Sequence, residues 1–351
     1  MIVEAVRWRD GVLEIIDQTL LPHELFVMRI TTLAELCEAI RRLRVRGAPA
    51  IGVAAAYGFR IVAEAYAQEG GREVATLRQR LRDAAGELAS TRPTARNLFM
   101  AIERLSAVGE TPAETVEELV AAVAGAAERM HAEDRELCAA IARHGAVLVP
   151  ADARVITHCN AGALATGGIG TALGVVYEAV RQGKKVHVYA DETRPLLQGA
   201  RLTAWELERA GVPVTLLCDH AAASLLARGG IDCAIVGADR IARNGDTANK
   251  VGTLSLALAA QRFGVPFYVA APSTTFDLAL ASGAEIPIEE RAADEVTRGF
   301  GARTAPPGVG VYNPAFDVTP AELIAAIVHE GGVVRPPFER NLATSLAALR
   351  R

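Results

Sequence analysis

ARVITH (153–158), KVHVYA (185–190), VTLLC (214–218), DCAIVG (232–237) and FYVA (267–270) are short apolar runs. Helical segments near 168–182, 197–210, 219–229 and 250–263 separate them. Strands buried on both faces read as continuous apolar runs, and parallel strands need crossover helices between them. The alternation therefore predicts an α/β fold: a C-terminal, Rossmann-like, doubly wound and mostly parallel sheet. Ligands of such sheets sit outside the carboxyl ends of the strands. The polar residues closing three runs are thus the first candidates for chemistry: Thr157-His158-Cys159-Asn160, Asp191-Glu192-Thr193-Arg194 and Asp239-Arg240.

Upstream the period differs. IVEAV (2–6) and VLEII (12–16) flank an Arg9-Asp10-Gly11 turn, and LFVMRI (25–30) follows Pro22, which reads as a short β meander. From Thr32 to His144 the chain is alanine-rich and helical. Breaks fall at Gly47-Ala48-Pro49, Gly70-Gly71, Thr91-Arg92-Pro93 and Thr111-Pro112. The last reads as a helix start, with Thr111 as N-cap and Pro112 as first residue. The expected organisation is a smaller, mainly helical domain at 1–147, beginning with the meander, and a catalytic domain at 148–351. The length of 351 residues agrees with two domains at roughly 150 each.

Composition narrows the class. Lys+Arg against Asp+Glu gives 37 − 41 = −4, without the basic excess of a nucleic-acid binder. Hydrophobic residues at 51% and charged ones at 22% are globular proportions, so bulk disorder is excluded. The five cysteines are scattered and form no C-x-x-C pair, which fits reduced thiols, not disulfides or a zinc site. MIVEAVRWRDG mixes charges with apolar residues and shows no signal peptide. The longest uncharged stretch, Asn160 to Tyr177, is too rich in Gly and Thr to span a membrane. A cytoplasmic protein without membrane or nucleic-acid partners is expected. Lysine occurs only at 184, 185 and 250, so each can be weighed singly.

Gly168-x-Gly170-x-x-x-Gly174 followed by Asp191 resembles a dinucleotide fingerprint. However, the first glycine lies well beyond the strand, and the second spacing is one residue too long. Glycines that ease helix–sheet packing explain it better.

Cys159 sits where a strand gives way to a glycine-rich loop and helix, a place that can lower a thiol pKa; an ordinary buried thiol is the alternative. Asp239 follows an apolar strand, where desolvation suits a carboxyl to donating a proton. The same place suits an Asp that caps the next segment or pairs with Arg240. Arg46-Gly47-Ala48 precedes a helix start and can face an anion, and Arg92 before Pro93 begins another helix. Lys250 opens the helix after Asn244–Asn249, so ammonium and helix-end N–H groups should point together. Gln198 lies in a loop-to-helix segment. H-x-x-x-H and H-E-x-x-H are absent, so no metal site is read, and without a nucleophile elbow or Walker loop the common hydrolases and phosphotransferases are not expected.

Longer strings resemble a known family. RGAPAIGVAAAYG (46–58), THCNAGALATGGIGTALGVVYEA (157–179), ADETRPLLQGARLTAWEL (190–207), VGADRIARNGDTANKVGTLSLA (236–257), VPFYVAAPSTTFD (265–277) and NPAFDVTP (313–320) are similar to the methylthioribose-1-phosphate isomerase family. The resemblance implies a metal-free, cofactor-free aldose–ketose isomerase of methionine salvage, working as a homodimer on a sugar phosphate. It places the catalytic cysteine on Cys159 and the catalytic aspartate on Asp239. Substrate contacts fall on Arg46, Gly47, Ala48, Arg92, Gln198, Asn249 and Lys250. Arg96, where the family has an aliphatic residue, is the one departure noticed. The wider superfamily adds two alternatives: ribose-1,5-bisphosphate isomerases and regulatory subunits of a eukaryotic translation-initiation exchange factor.

Overall fold

The computed structural model describes residues 2–93, 95–299 and 301–349. They divide into two compact units, Ile2–Cys138 with Ala163–Gly170, and Ala139–Gly162 with Thr171 onward.

The first unit opens with an antiparallel sheet of β1 (Val6–Arg9), β2 (Val12–Ile16) and β3 (Val27–Ile30). The β1–β2 turn is only Asp10 and Gly11, with φ of 49° and 76°, and Arg9 pairs with Val12. Two positive-φ residues make the turn whose twist suits a hairpin. That turn draws the strand up to Arg9, so the first strand is Val6–Arg9 and not the expected 2–6.

Five helices follow: α1 (Leu33–Arg41), α2 (Ala48–Gln68), α3 (Val74–Ala89), α4 (Arg96–Gly109) and α5 (Val116–Ala146). Thr32 and Glu35 close a capping box at the start of α1. Helix α2 buries Ala50, Ile51, Val53, Phe59 and Ile61 on several sides, as a core helix does. The start expected at Thr111-Pro112 lies instead at Thr115, whose Oγ1 accepts the Glu118 N–H at 3.2 Å. The Thr111 hydroxyl donates back to Val108 O at 2.7 Å and closes the preceding helix. The division into units falls within α5.

The second unit begins with β4 (Asp152–Thr157), α6 (Ala172–Arg181), β5 (Lys185–Asp191), α7 (Ala204–Ala210), β6 (Val214–Leu217), α8 (Ala222–Ala227) and β7 (Cys233–Val236). It continues through β8 (Arg240–Ala242), β9 (Thr247–Lys250), α9 (Thr253–Arg262), β10 (Phe267–Ala270) and β11 (Phe276–Asp277). After α10 (Asp294–Thr297) and a hairpin of β12 (Arg298–Gly299) with β13 (Ala302–Arg303) come β14 (Phe316–Thr319), β15 (Ala326–His329), β16 (Gly332–Val334) and α11 (Phe338–Ala348).

Seven strands form one sheet in the order β6-β5-β4-β7-β10-β15-β16, parallel except for β16. The first three strands run outward from β4 to one edge, and the next three toward the other. The strand order reverses between β4 and β7, which makes that gap the topological switch point. The doubly wound fold expected from the sequence is present. Successive β4 residues serve opposite faces: Val155 joins Val175, Val176 and Val188, whereas Ile156 joins Val236, Leu256 and Ile327. A smaller sheet, β11-β8-β9-β14, extends from the end of β7. Lys184 is structural: its Nζ donates to Ala146 O at 2.7 Å and Val149 O at 2.6 Å. No described helix is long and apolar enough to cross a membrane.

Candidate active site

Cys159 follows β4 and Asp239 follows β7, so they leave neighbouring strands on the two sides of the switch point. The strands are paired at Val155–Cys233 and Ile156–Ala234, and Thr157 Oγ1 donates to Ile235 O at 2.7 Å. Asp239 N then donates to Ala248 O at 2.9 Å, which ties Asp239 to β9. Asn249 and Lys250 are the next residues of that strand. Asn249 Nδ2 donates to Thr253 Oγ1 at 3.1 Å. The Lys250 ammonium donates to Ala315 O at 2.8 Å and lies 4.8 Å above the Phe316 ring.

Lys250 thus ends a strand; it does not open a helix. Helix α9 begins after Gly252, and two N–H groups at its start are already occupied. Gly252 N donates to Asp317 Oδ2 at 2.6 Å, and Leu254 N to Oδ1 at 3.0 Å. Strand β14, paired with β9, delivers that carboxylate. Burial pushes the Asp317 pKa up, and the two N–H donors oppose the shift. An internal carboxylate therefore fills the anion seat expected for a ligand.

His158 is fully buried, with Nδ1 3.0 Å from Asp191 Oδ2 and Nε2 2.9 Å from Val251 O. A carbonyl only accepts, so Nε2 carries a hydrogen. Burial disfavours the imidazolium, but Asp191 and the Val251 carbonyl outweigh it, and the His158 pKa is raised. His158, Asp191 and Asp219 bring possible ligand atoms within 4.8 Å of one another. With Nδ1 on Asp191 and Nε2 on Val251 O, His158 braces the end of β4 against the end of β5 and the start of α9.

Among the cysteines, Cys37, Cys138 and Cys233 are buried, and burial pushes each thiol up to about 12. Glu192 raises that of the exposed Cys218. Cys159 is half-buried, and its backbone takes a φ of +62°. Its N–H donates to Thr193 Oγ1 at 2.9 Å, and its carbonyl accepts from Thr203 Oγ1 at 2.6 Å. Gln198 leads into a π-helical turn, Gly199–Thr203. The residue is 6% exposed, and among the described residues nothing hydrogen-bonds to its Oε1.

The remaining candidates lie in the first unit. Arg46 Nε donates to Gln18 Oε1 at 3.0 Å, and Gln18 Nε2 donates to Leu164 O at 2.8 Å. Gly47, at φ 93°, precedes Ala48, the first residue of α2. A Cβ on Gly47 would fall 2.5 Å from the Ala165 backbone, so only glycine fits. Arg92 lies in the turn between α3 and α4, with its carbonyl accepting Ala95 N at 3.1 Å; the helix begins at Arg96, not at Arg92.

The sequence marks Thr193 only as one of a polar strand end, with no role of its own, and gives no sign of Thr203 or Asp317. That one signal is the polar end of KVHVYADET, which Thr193 closes.

A doubly wound sheet with a polar switch point, and without a phosphate loop on its first helix, is an α/β protein whose strand ends can seat a small ligand. Residues 44–336 match the sequence model of the Initiation factor 2 subunit family (IF-2B), and the chain belongs to that family. A protein of Moorella thermoacetica named 5-deoxyribose 1-phosphate isomerase is 52% identical over 99% of both chains. One of Chloroflexus aurantiacus named methylthioribose-1-phosphate isomerase is 53% identical over 100% of this chain and 99% of its own. The crystal structure of 5-methylthioribose 1-phosphate isomerase from Pyrococcus horikoshii superposes with a TM-score of 0.91 at 41% identity. It covers 98% of this chain and 96% of that one.

Proposed function

We propose that the protein converts 5-methylthioribose 1-phosphate to 5-methylthioribulose 1-phosphate in methionine salvage, by acid–base catalysis with Cys159 and Asp239. Relatives alike over nearly their full length support aldose–ketose isomerisation. The observation that carries the residue assignment is the switch point: Cys159 and Asp239 leave adjacent strands there, and Asp239 is tied to the strand bearing Asn249 and Lys250.

The chemistry needs such a pair. A sugar phosphorylated on its anomeric oxygen cannot open to a free aldehyde, so the bond from the anomeric carbon to the ring oxygen must be broken. Asp239 donates a proton to that oxygen; Cys159, as base and proton shuttle, takes the proton from the neighbouring carbon and delivers it to the anomeric carbon, and the proton lost by the neighbouring hydroxyl as it becomes the ketone restores Asp239. General acid–base help of this kind contributes roughly 10²–10⁴-fold. Arg46, Arg92 and Lys250 supply charge for the phosphate, Gly47 and Ala48 supply backbone, and Gln198 and Asn249 supply hydrogen bonds. The buried Oε1 of Gln198, which no described residue hydrogen-bonds, suits a substrate hydroxyl. Remote phosphate binding then orients the reacting carbons. No step assigned here calls for a cofactor, and a homodimer is the assembly this reading carries.

The Moorella relative's name favours a second substrate, 5-deoxyribose 1-phosphate, which shares the reacting end and differs only in its apolar tail. Ribose 1,5-bisphosphate would bring a second phosphate in place of that tail. A regulatory subunit would need neither Cys159 nor Asp239. Incubating purified protein with each of the three sugar phosphates and following the ketose decides among them. Turnover of the methylthio sugar is expected, and no turnover of any sugar would sink the assignment.

A further inference from the structure

We propose that Thr193 and Thr203 are positioning residues for Cys159, clamping its backbone from both sides; this rests on the isomerase reading above. A φ of +62° is a conformation that a residue with a side chain adopts only when its surroundings hold it there. Two hydroxyls do the holding, and both threonines are fully buried. Thr193 Oγ1 accepts the Cys159 N–H at 2.9 Å and donates to Asp191 O at 3.1 Å. Thr203 Oγ1 donates to the Cys159 carbonyl at 2.6 Å and accepts from Asn160 Nδ2 at 3.1 Å. Each hydroxyl hydrogen is used once, so neither contact can be replaced by turning the group around.

The clamp is anchored behind. Thr193 N donates to Asp219 Oδ1 at 2.7 Å, and Arg194 N to Oδ2 at 2.7 Å. Asn160 Nδ2 also donates to Glu206 Oε1 at 2.9 Å, fixing the residue after Cys159. The threonines come from different elements, the end of β5 and the π-helical turn, and Gly199 locks these together. A Cβ on Gly199 would fall 1.6 Å from Asp191 O, so the turn can seat against the strand end only with glycine there. Extra-residue turns of this kind recur at functional sites. Here the turn delivers Thr203 to the carbonyl that the strand end cannot reach.

The test uses the full chain carrying Cys218→Ser, which removes the exposed thiol so that iodoacetamide reports on Cys159. Thr193→Val and Thr203→Val keep the shape and delete the hydroxyl; Thr→Ser at each site keeps it. The Val variants should lose roughly tenfold to a hundredfold in kcat with KM within about threefold, because misplacing a reacting group costs on that scale. The Ser variants should stay within about threefold of the parent. The pH profile of alkylation should shift in the Val variants and not in the Ser variants. Unchanged kcat in the Val variants, equal losses in Val and Ser, or an unmoved alkylation profile would each overturn the clamp. If a Val variant does not fold, Thr→Ala at that site is measured against the same criteria. Failure of the parent to turn over any sugar phosphate overturns the isomerase reading separately, and the alkylation profiles still decide the clamp.

Discussion

His158 and Asp191 form a buried pair, Nδ1 to Oδ2 at 3.0 Å, which links the ends of β4 and β5 beside Cys159. On the other side of the ring, Nε2 holds Val251 O at 2.9 Å, beside Lys250. Because the His158 pKa is raised in the folded state, the stability it contributes is full below the unfolded value near 6.5. It drains as pH rises through the folded value. Asp191→Asn should flatten that loss and lower overall stability by up to about 3–5 kcal/mol, the cost of unpairing a buried charge. Thermal melts across pH 5–9, with ¹⁵N shifts showing a protonated His158 in the parent alone, check this. A neutral His158 in the parent at pH 6 would refute it.

Asp134 titrates in the opposite sense from an ordinary paired acid. Burial raises its pKa to about 6, against a hydrogen bond from Gly167 N at 2.6 Å, with the Cys138 thiol donating to the same oxygen at 4.0 Å. The folded chain therefore holds a proton that the unfolded chain has released, and stability falls as pH rises from about 4 to about 6. Asp134→Asn keeps an acceptor for Gly167 and removes the charge. It should raise stability at pH 7.5 by up to ~3 kcal/mol and leave pH 4 melts nearly unchanged. Equal melts at pH 7.5 would contradict this.

Cys159→Ser and Asp239→Asn should each lower kcat by roughly 10²–10⁴-fold, with unaltered circular dichroism and a modest change in KM. Turnover that survives either change would remove that residue from the mechanism.

Lys250→Met keeps an unbranched apolar stem and deletes the ammonium that lies over Phe316, so its effect on turnover should fall on phosphate binding. KM should rise about 10–100-fold, and inorganic phosphate should weaken as a competitor by a similar factor, consistent with loss of a charge-assisted contact. An unchanged phosphate inhibition constant would place Lys250 outside the phosphate site.

The strands and their parallel direction were legible because apolar runs such as AIV in DCAIVG cannot hide their burial. Which strands are neighbours, and hence the switch point between β4 and β7, follows only from the observed pairing; the sequence places Cys159 and Asp239 at strand ends. Boundaries read less well where local chemistry allowed two answers. Thr111-Pro112 and Thr115-x-x-Glu118 both look like helix starts, and only the donation of the Thr111 hydroxyl to Val108 O separates them. TANK (247–250) was misread as leading into a helix because its pairing partner, FDVT (316–319), lies far along the chain. The Thr193 and Thr203 contacts depend on a π-helical turn, whose fifth residue per turn leaves no periodic mark in a short segment.

Asp317 has a consequence for how the molecule comes apart. It belongs to the small sheet, yet its carboxylate closes the first turn of α9, so one side chain fastens that sheet to a helix of the large one. Small sheets with short strands open at lower free energy than a seven-stranded core. Release of this fastening frees Asn249 and Lys250 while β4 and β7 stay paired. Hydrogen exchange should accordingly show the amides of β9 and β14 opening as one unit, ahead of the central strands, with the Gly252 and Leu254 amides following β14 and not the rest of their own helix.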